Sequence, residues 1–409
     1  MTAIAPLRRG ACPGLATPMS TGDGLLARLR PDGTLTLDQL AGLCAAARRH
    51  GNGIVEITSR GSIQVRGLDA SSAPAFADAV AALVIAAHDG VPVIADPLAG
   101  LDPDELIDAG ALAAGLRAAL AGAPLAQRLG AKVCVAIDGG GALHLDALTA
   151  DIRLRAVASP AGPRLHVAAG GDAASAAPFG TVAPADAAET VIRLLSRIAA
   201  HGPQARGRDV VQTPTAADAA GPAPRPAADP IRIHRLRDGT MAIGIGFAFG
   251  HAEAAVLDDL VRAAHEAGAT GLRAAPGRAL LVLGVTADRL AALVRTARVL
   301  GFVVDHDDPR RRVVACAGAP VCAAGEIPAR ALAPQVAADV APLLAADEMI
   351  HISGCPKGCA HRGAAALTAI GRAGASDLLV GGTAAGSCAA AQLAQRLAVL
   401  AVSRSGRHG

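Results

Sequence analysis

The chain has 409 residues, 52% of them hydrophobic, enough to bury a large core and to exclude a disordered protein. Its 38 Lys and Arg stand against 35 Asp and Glu, and a net charge of +3 is too even for a protein that lives on nucleic acid or an acidic membrane surface. With no Trp, no Tyr and five Phe, stacking on aromatics cannot be its main way of holding a ring. At roughly 150 residues per domain the length predicts two to three domains. The apolar stretches 79–100 and 109–126 are broken by charges such as Asp96 and Arg117, so none suits a membrane span of about 18 residues. No apolar segment follows Arg8 and Arg9 as an export signal would require, which predicts a cytoplasmic protein.

In chain order, a strand at 25–30 precedes an Ala/Leu-rich helix starting at Leu37, then a turn marked by Gly51-Asn52-Gly53 and two strands joined by a tight turn, ending at Leu68. Along that pair Thr58, Arg60, Ser62, Gln64 and Arg66 alternate with Ile57, Gly61, Ile63 and Val65. Period-two alternation puts the five polar side chains on one face if the turn keeps register, and solvent exposure would explain the pattern as well as function would. An Ala-rich α/β stretch follows at 76–201. Residues 202–230, rich in Pro, Ala and Asp, read as a linker.

Beyond it a strand at 241–247 leads into 254–285, which lines up with 37–68 without a gap. Each copy reads β–α–β–β, so the chain is predicted to be a pseudo-two-fold repeat of α+β halves. The second copy keeps only Arg273 and Arg278 among mostly apolar residues and reads as structural. The predicted divisions are 1–75, 76–201, the linker 202–230, 231–290 and 291–409. Gly244, Gly246 and Gly250 begin in a strand with the wrong spacing for a dinucleotide loop, and Gly139-Gly140-Gly141 has no helix signature behind it.

Of the eight cysteines, Cys44 lies in a helix and Cys134 in an apolar strand, both read as core, while Cys12 and Cys388 are unassigned. Cys316 and Cys322 form C-x5-C, and Cys355 and Cys359 form C-x3-C. Four thiolates on two Gly- and Pro-bearing loops can reach the corners of an iron–sulfur cubane, and neither pair has the C-x2-C spacing common in structural zinc sites. Zinc and idle thiols remain the other readings. Lys132 and Lys357 are the chain's only lysines, and Lys357 falls inside the second cysteine loop.

C-x5-C followed by C-x3-C, with the repeated halves, resembles the nitrite/sulphite reductase superfamily. Within it, Thr58-Ser59-Arg60-Gly61, Ala95-Asp96-Pro97-Leu98-Ala99-Gly100, Val314-Ala315-Cys316 and His351-Ile352-Ser353-Gly354-Cys355 most resemble the precorrin-3B synthase family of aerobic cobalamin biosynthesis. The resemblance implies ferredoxin-like halves 1–75 and 231–290, each followed by an α/β region, the second binding the cluster. It implies a 4Fe–4S cluster on Cys316, Cys322, Cys355 and Cys359. It also implies that Arg28, Arg60, Gln64 and Arg66 grip the carboxylates of a tetrapyrrole, precorrin-3A, with Lys132 in an anion pocket.

Dioxygen as co-substrate, an electron-donating reductase or ferredoxin, and a non-haem iron are further implications. The ligands of that iron are not evident, with His351 and His361 as candidates. The loop 93–100 lacks the cations of sulphite reductases and Lys132 stands alone, which counts against reduction of a small anion. The other readings are a sirohaem-dependent sulphite or nitrite reductase and a non-catalytic iron–sulfur carrier.

Overall fold

The structure, a computed structural model, describes residues 13–87, 90–125, 127–210, 221–361 and 363–405. Arg8, Arg9 and Cys12 lie outside the described residues, as do positions 211–220 of the 202–230 segment. The first half comprises β1 (Met19–Thr21), β2 (Gly24–Leu29), α1 (Leu37–His50), β3 (Ile54–Ile57), β4 (Ile63–Leu68) and α2 (Ser72–Ala82). Helix α1 starts where Thr36 and Gln39 cap each other reciprocally, at 3.1 and 2.9 Å, and it ends on Arg48, Arg49 and His50, where the helix dipole favours cations.

The first α/β region then runs β5 (Val93–Ala95), α3 (Ala109–Ala121), β6 (Val135–Asp138), β7 (Ala150–Val157), β8 (Arg164–Gly171), β9 (Ala177–Val182) and α4 (Ala187–Ala200). The second half contains β10 (Ile233–Arg235), β11 (Met241–Gly246), β12 (His251–Glu253), α5 (Ala254–Glu266), β13 (Gly271–Ala275), β14 (Ala279–Val285) and α6 (Ala287–Val299). The second α/β region follows with β15 (Val313–Ala315), α7 (Ala329–Asp339), β16 (Ile350–Ser353), β17 (Leu367–Arg372), β18 (Ala375–Val380), β19 (Thr383–Ala389) and α8 (Leu393–Ser405).

The repeat read at 37–68 and 254–285 is present element for element: α1 matches α5, β3 matches β13 and β4 matches β14. The halves are not separate bodies. Strand β12 of the second pairs antiparallel with β3 of the first, with Ala252 opposite Val55. Leu40, Leu43 and Phe76 share one core with Leu257, Leu260 and Val282. The duplication also extends into the α/β regions, where β5-β6-β7-β8-β9 and β15-β16-β17-β18-β19 have the same order. In each, the first three strands are parallel and the last two antiparallel. Alanine-rich helices and strands buried on both faces leave too little sequence signature to reveal this.

Residues 203–210 and 223–226 pack on the first α/β region, while Asp229 pairs with Arg311 at 2.7 Å. Arg206 Nε and Nη2 donate to Asp151 at 2.8 and 2.9 Å, and Arg225 bonds Asp146 at 2.6 Å and also Asp138. Cys44 is fully buried in α1, where burial pushes its thiol up to about 12, and Cys388 belongs to the core under α8. No described helix is long and apolar enough to cross a membrane.

Candidate active site

Residues from all four blocks line one cavity of about 1160 Å³. Arg28, Arg60, Gln64, Arg66, Lys132, Cys316, Cys322, Cys355 and Cys359 all lie on its wall. So does Lys357, which brings both lysines of the chain to the same space.

The polar face comes from β2, β4 and β3, where cross-strand register puts Arg28 opposite Gln64 and Gln64 opposite Glu56. Ile63 and Val65 point the other way, into the core. The alternation is narrower than the sequence predicts: only Gln64 and Arg66 lie in the strand, while Thr58–Ser62 make a turn in which Thr58 N–H donates to the Ser62 carbonyl at 2.9 Å.

Side chains of this face are tied to one another. Arg28 donates through Nε and Nη2 to Gln64 Oε1 at 3.0 and 2.6 Å, and Gln64 Nε2 donates to Glu56 at 3.0 Å. Arg330 of α7 reaches Glu56 at 2.9 Å. Arg66 makes a bidentate pair with Asp23, at 2.7 and 2.6 Å, and a longer contact of 3.4 Å with Glu56. Burial opposes the charge of Asp23, but Arg66 outweighs it and holds that carboxyl below the ordinary range. Arg66 therefore has its carboxylate partners within the protein. Arg60 differs: it is exposed at the turn, and among the described residues its guanidinium makes a 3.3 Å contact from Nη1 to Cys134 Sγ and no carboxylate pair.

Two expectations need correcting. The second copy is not merely structural, because its two arginines, Arg273 and Arg278, both line the cavity. Lys132 does not stand alone either: eight arginines and two lysines line the wall against three carboxylates, Asp32, Glu56 and Asp96. The loop 93–100 does lack cations, but Arg273 covers it by donating to the carbonyls of Pro97 and Ala99 at 3.3 and 2.8 Å. Spacing along the chain cannot reveal cations delivered from other strands. Glu56 had a legible signal, a lone acid among Ile54, Val55 and Ile57.

The cysteine loops follow β15 and β16, neighbouring parallel strands, so both leave the same end of the sheet. Gly354 N–H donates to Cys316 Sγ at 3.0 Å. Burial pushes the Cys316 thiol up, and the nearness of Cys359 and Cys322 pushes it the same way. Gly22 closes over the site so tightly that a Cβ there would stand 2.2 Å from Cys322 Sγ. Among the described residues no three of these sulfurs lie within 4.8 Å of one another. A tetrahedral zinc with Zn–S near 2.3 Å would need sulfurs about 3.8 Å apart, whereas a cubane holds its corner ligands farther apart. The donor set, the spacing and the N–H to sulfur bond fit a cluster better than a single ion.

Among the described residues the one triad with ion-like spacing is Asp138, His144 and Asp146, whose two carboxylates are already bound by Arg225. His351 and His361 do not line the cavity. Their rings meet edge to face at 5.7 Å, and burial, with His361 beside it, pushes protonation of His351 down to about 4. Asp96 was not expected at the site. It is 3% exposed, its Oδ2 accepts Gly139 N–H at 3.1 Å, and its Oδ1 has no partner. Burial pushes this carboxyl up to about 7, against the Gly139 bond and helped by the neighbouring Glu105, Asp138 and Asp102.

Comparison with known proteins matches residues 17–83 to the nitrite/sulfite reductase ferredoxin-like half domain. Among solved structures, the NirA protein of Mycobacterium tuberculosis superposes with a TM-score of 0.69 at 21% identity, over 91% of this chain and 79% of that one, a likeness of fold. The chain is 31% identical over 151 residues to the sulfite reductase (ferredoxin) 2 of Mycolicibacterium paratuberculosis, 34% of this chain and 27% of that one. It is 39% identical over 392 residues to precorrin-3B synthase of Sinorhizobium sp, 94% of this chain and 85% of that one. With that likeness along nearly its whole length, the chain belongs to the precorrin-3B synthase family and is an oxidoreductase of cobalamin biosynthesis.

Proposed function

We propose that the enzyme is an oxygen-dependent monooxygenase that converts precorrin-3A to precorrin-3B, hydroxylating C20 of the macrocycle and closing a lactone from the ring A acetate. The observation that carries this reading is the shared cavity: arginines suited to carboxylates and four cysteines suited to a cluster face one space of about 1160 Å³. That volume exceeds the roughly 300–1,000 Å³ usual for drug-sized ligands and suits a tetrapyrrole beside a cluster.

In this reading Arg60 and Lys132 meet substrate carboxylates, while Arg28, Gln64 and Arg66 hold the floor rigid through their bonds to Glu56 and Asp23. Cys316, Cys322, Cys355 and Cys359 hold a 4Fe–4S cluster, a choice supported by the relation to the sulfite reductases. When bound, that cluster supplies single electrons. Gly354 N–H steadies the Cys316 sulfur and Lys357 adds positive charge beside it. One atom of dioxygen enters the product and the other leaves as water, with two electrons from a reductase or ferredoxin. No ligand set is proposed for a second iron, since His351 and His361 stand off the cavity wall. The reading implies a cytoplasmic enzyme.

The test is incubation with precorrin-3A, a reducing partner and labelled dioxygen, with label expected in the new hydroxyl. Absence of label, with sirohaem bands in the purified protein and consumption of sulphite or nitrite, would make it a reductase instead. The lack of Trp and Tyr leaves the absorption spectrum clear for either chromophore.

A further inference from the structure

We infer that Arg278 is a carboxylate-binding residue of the same site, paired with Arg60 in a two-armed grip on one polycarboxylate tetrapyrrole across the pseudo-two-fold. The inference rests on the tetrapyrrole reading and assigns a residue from the half that looked structural. The β3–β4 and β13–β14 turns meet tip to tip: Arg60 bridges to Pro276, and Gly277 N–H donates to the Ser59 carbonyl at 3.1 Å. A Cβ at Gly61 would stand 3.0 Å from the Ala275 carbonyl carbon, so the tips are in close contact. In the aligned repeat, Arg60-Gly61 stands opposite Gly277-Arg278, with arginine and glycine exchanged. The two arginines therefore leave adjoining turns, and both line the cavity.

Three features of Arg278 point to a ligand. Its backbone is left-handed, φ 63°, at the position where its repeat counterpart Gly61 has φ 76°. A glycine would sit there without strain, so the chain tolerates an arginine at a conformational cost. Gly250 leaves it room, since a Cβ there would come within 2.8 Å of Arg278 Cδ. Finally, among the described residues no hydrogen bond or ion pair is found for its guanidinium. Glu56 acts on it only electrostatically, being engaged by Gln64, Arg66 and Arg330. A half-buried guanidinium has five N–H donors to satisfy, and a carboxylate arriving in the cavity is the acceptor whose geometry matches them.

The test measures binding of a stable octacarboxylate porphyrin by absorbance titration to the wild type, Arg278→Gly, Arg278→Lys and Arg60→Ala. Arg278→Gly should raise Tm, because it relieves the left-handed backbone, while weakening binding roughly tenfold to a hundredfold. Arg278→Lys should also weaken binding, since an ammonium cannot reproduce the planar fork. Unchanged affinity in Arg278→Gly, with Arg60→Ala impaired, would overturn the inference and leave the tetrapyrrole reading standing. A lower Tm in the glycine variant would also overturn it, by making the side chain a packing residue. No binding of the porphyrin by wild type, together with no turnover of precorrin-3A, would sink the reading itself.

Discussion

The two α/β regions make the same excursion after their first strand, and they close it with different chemistry. Asp96 and Asp102 follow β5 with the spacing at which Cys316 and Cys322 follow β15, and α3 and α7 then begin at matching positions. Gly139 N–H donates to Asp96 Oδ2 at 3.1 Å just as Gly354 N–H donates to Cys316 Sγ at 3.0 Å. Leu106 N–H bonds the Gly139 carbonyl at 2.8 Å, and Glu326 N–H bonds the Gly354 carbonyl at 2.7 Å. In the first region the loop is finished by carboxylates: Asp102 accepts from Asp104 and Ala142, and Glu105 accepts from Gly100 and Ala109. The fold can thus close this loop with backbone N–H groups and acids. Loop closure alone therefore does not require the thiols of the second copy.

The largest effect expected from this contrast is loss of the cluster. Changing any one of Cys316, Cys322, Cys355 or Cys359 to Ser should remove most iron and acid-labile sulfide, whereas Cys44→Ser and Cys134→Ser should keep both. Full iron in Cys355→Ser would break the comparison.

In the carboxylate loop, Asp102→Ala takes the acceptor from two part-buried backbone N–H groups and should cost about 1–3 kcal/mol in urea unfolding, with iron content unchanged. A loss below about 0.5 kcal/mol would mean the acids do not close the loop.

The arginines separate by partner. Arg60→Ala should weaken tetrapyrrole binding by about 1.5–3 kcal/mol and leave the cluster spectrum alone. Arg66→Ala should instead lower stability by about 1–3 kcal/mol, because it strands the buried Asp23 carboxylate. Equal binding losses in the two variants would show that the Asp23 pair opens for substrate.

The smallest effect is a pH dependence. Folded Asp96 keeps its proton to about pH 7, while the unfolded chain releases it near the ordinary 3.8, so the folded state binds more protons across that window. Stability contributed by this group therefore falls as pH rises from about 4 to about 7. Asp96→Asn cannot ionise and should escape the fall, gaining about 1–2 kcal/mol over wild type at pH 8, since its amide leaves one donor unsatisfied. Parallel stability curves for the two proteins from pH 4 to 8 would show that Asp96 is ionised when folded.

The β–α–β–β repeat was legible because its signals are local: helical periodicity from Leu37 and Ala254, glycine turns, and period-two strands. The cysteine loops were legible because their C-x5-C and C-x3-C spacings are written along the chain. The Asp23 partner of Arg66 was not legible, since it lies on the far side of an intervening helix and two strands and meets Arg66 only through the pairing of β2 with β4. Arg273 and Arg278 were seen, but nothing nearby in sequence says that β13 and β14 aim their turn at the turn of the first copy.

Composition and local pattern by themselves determined the α+β class, the duplication in the ferredoxin-like halves and the two cysteine pairs, because helix and strand periods and loop spacing are properties of short segments. Tertiary structure alone decided that Arg60 and Arg278 share a wall, that Arg66 is neutralised by Asp23, and that Asp96 is the counterpart of Cys316. Each of these depends on which strands pair and in what register, and that is fixed by burial of a core drawn from both halves, which no short stretch of sequence contains.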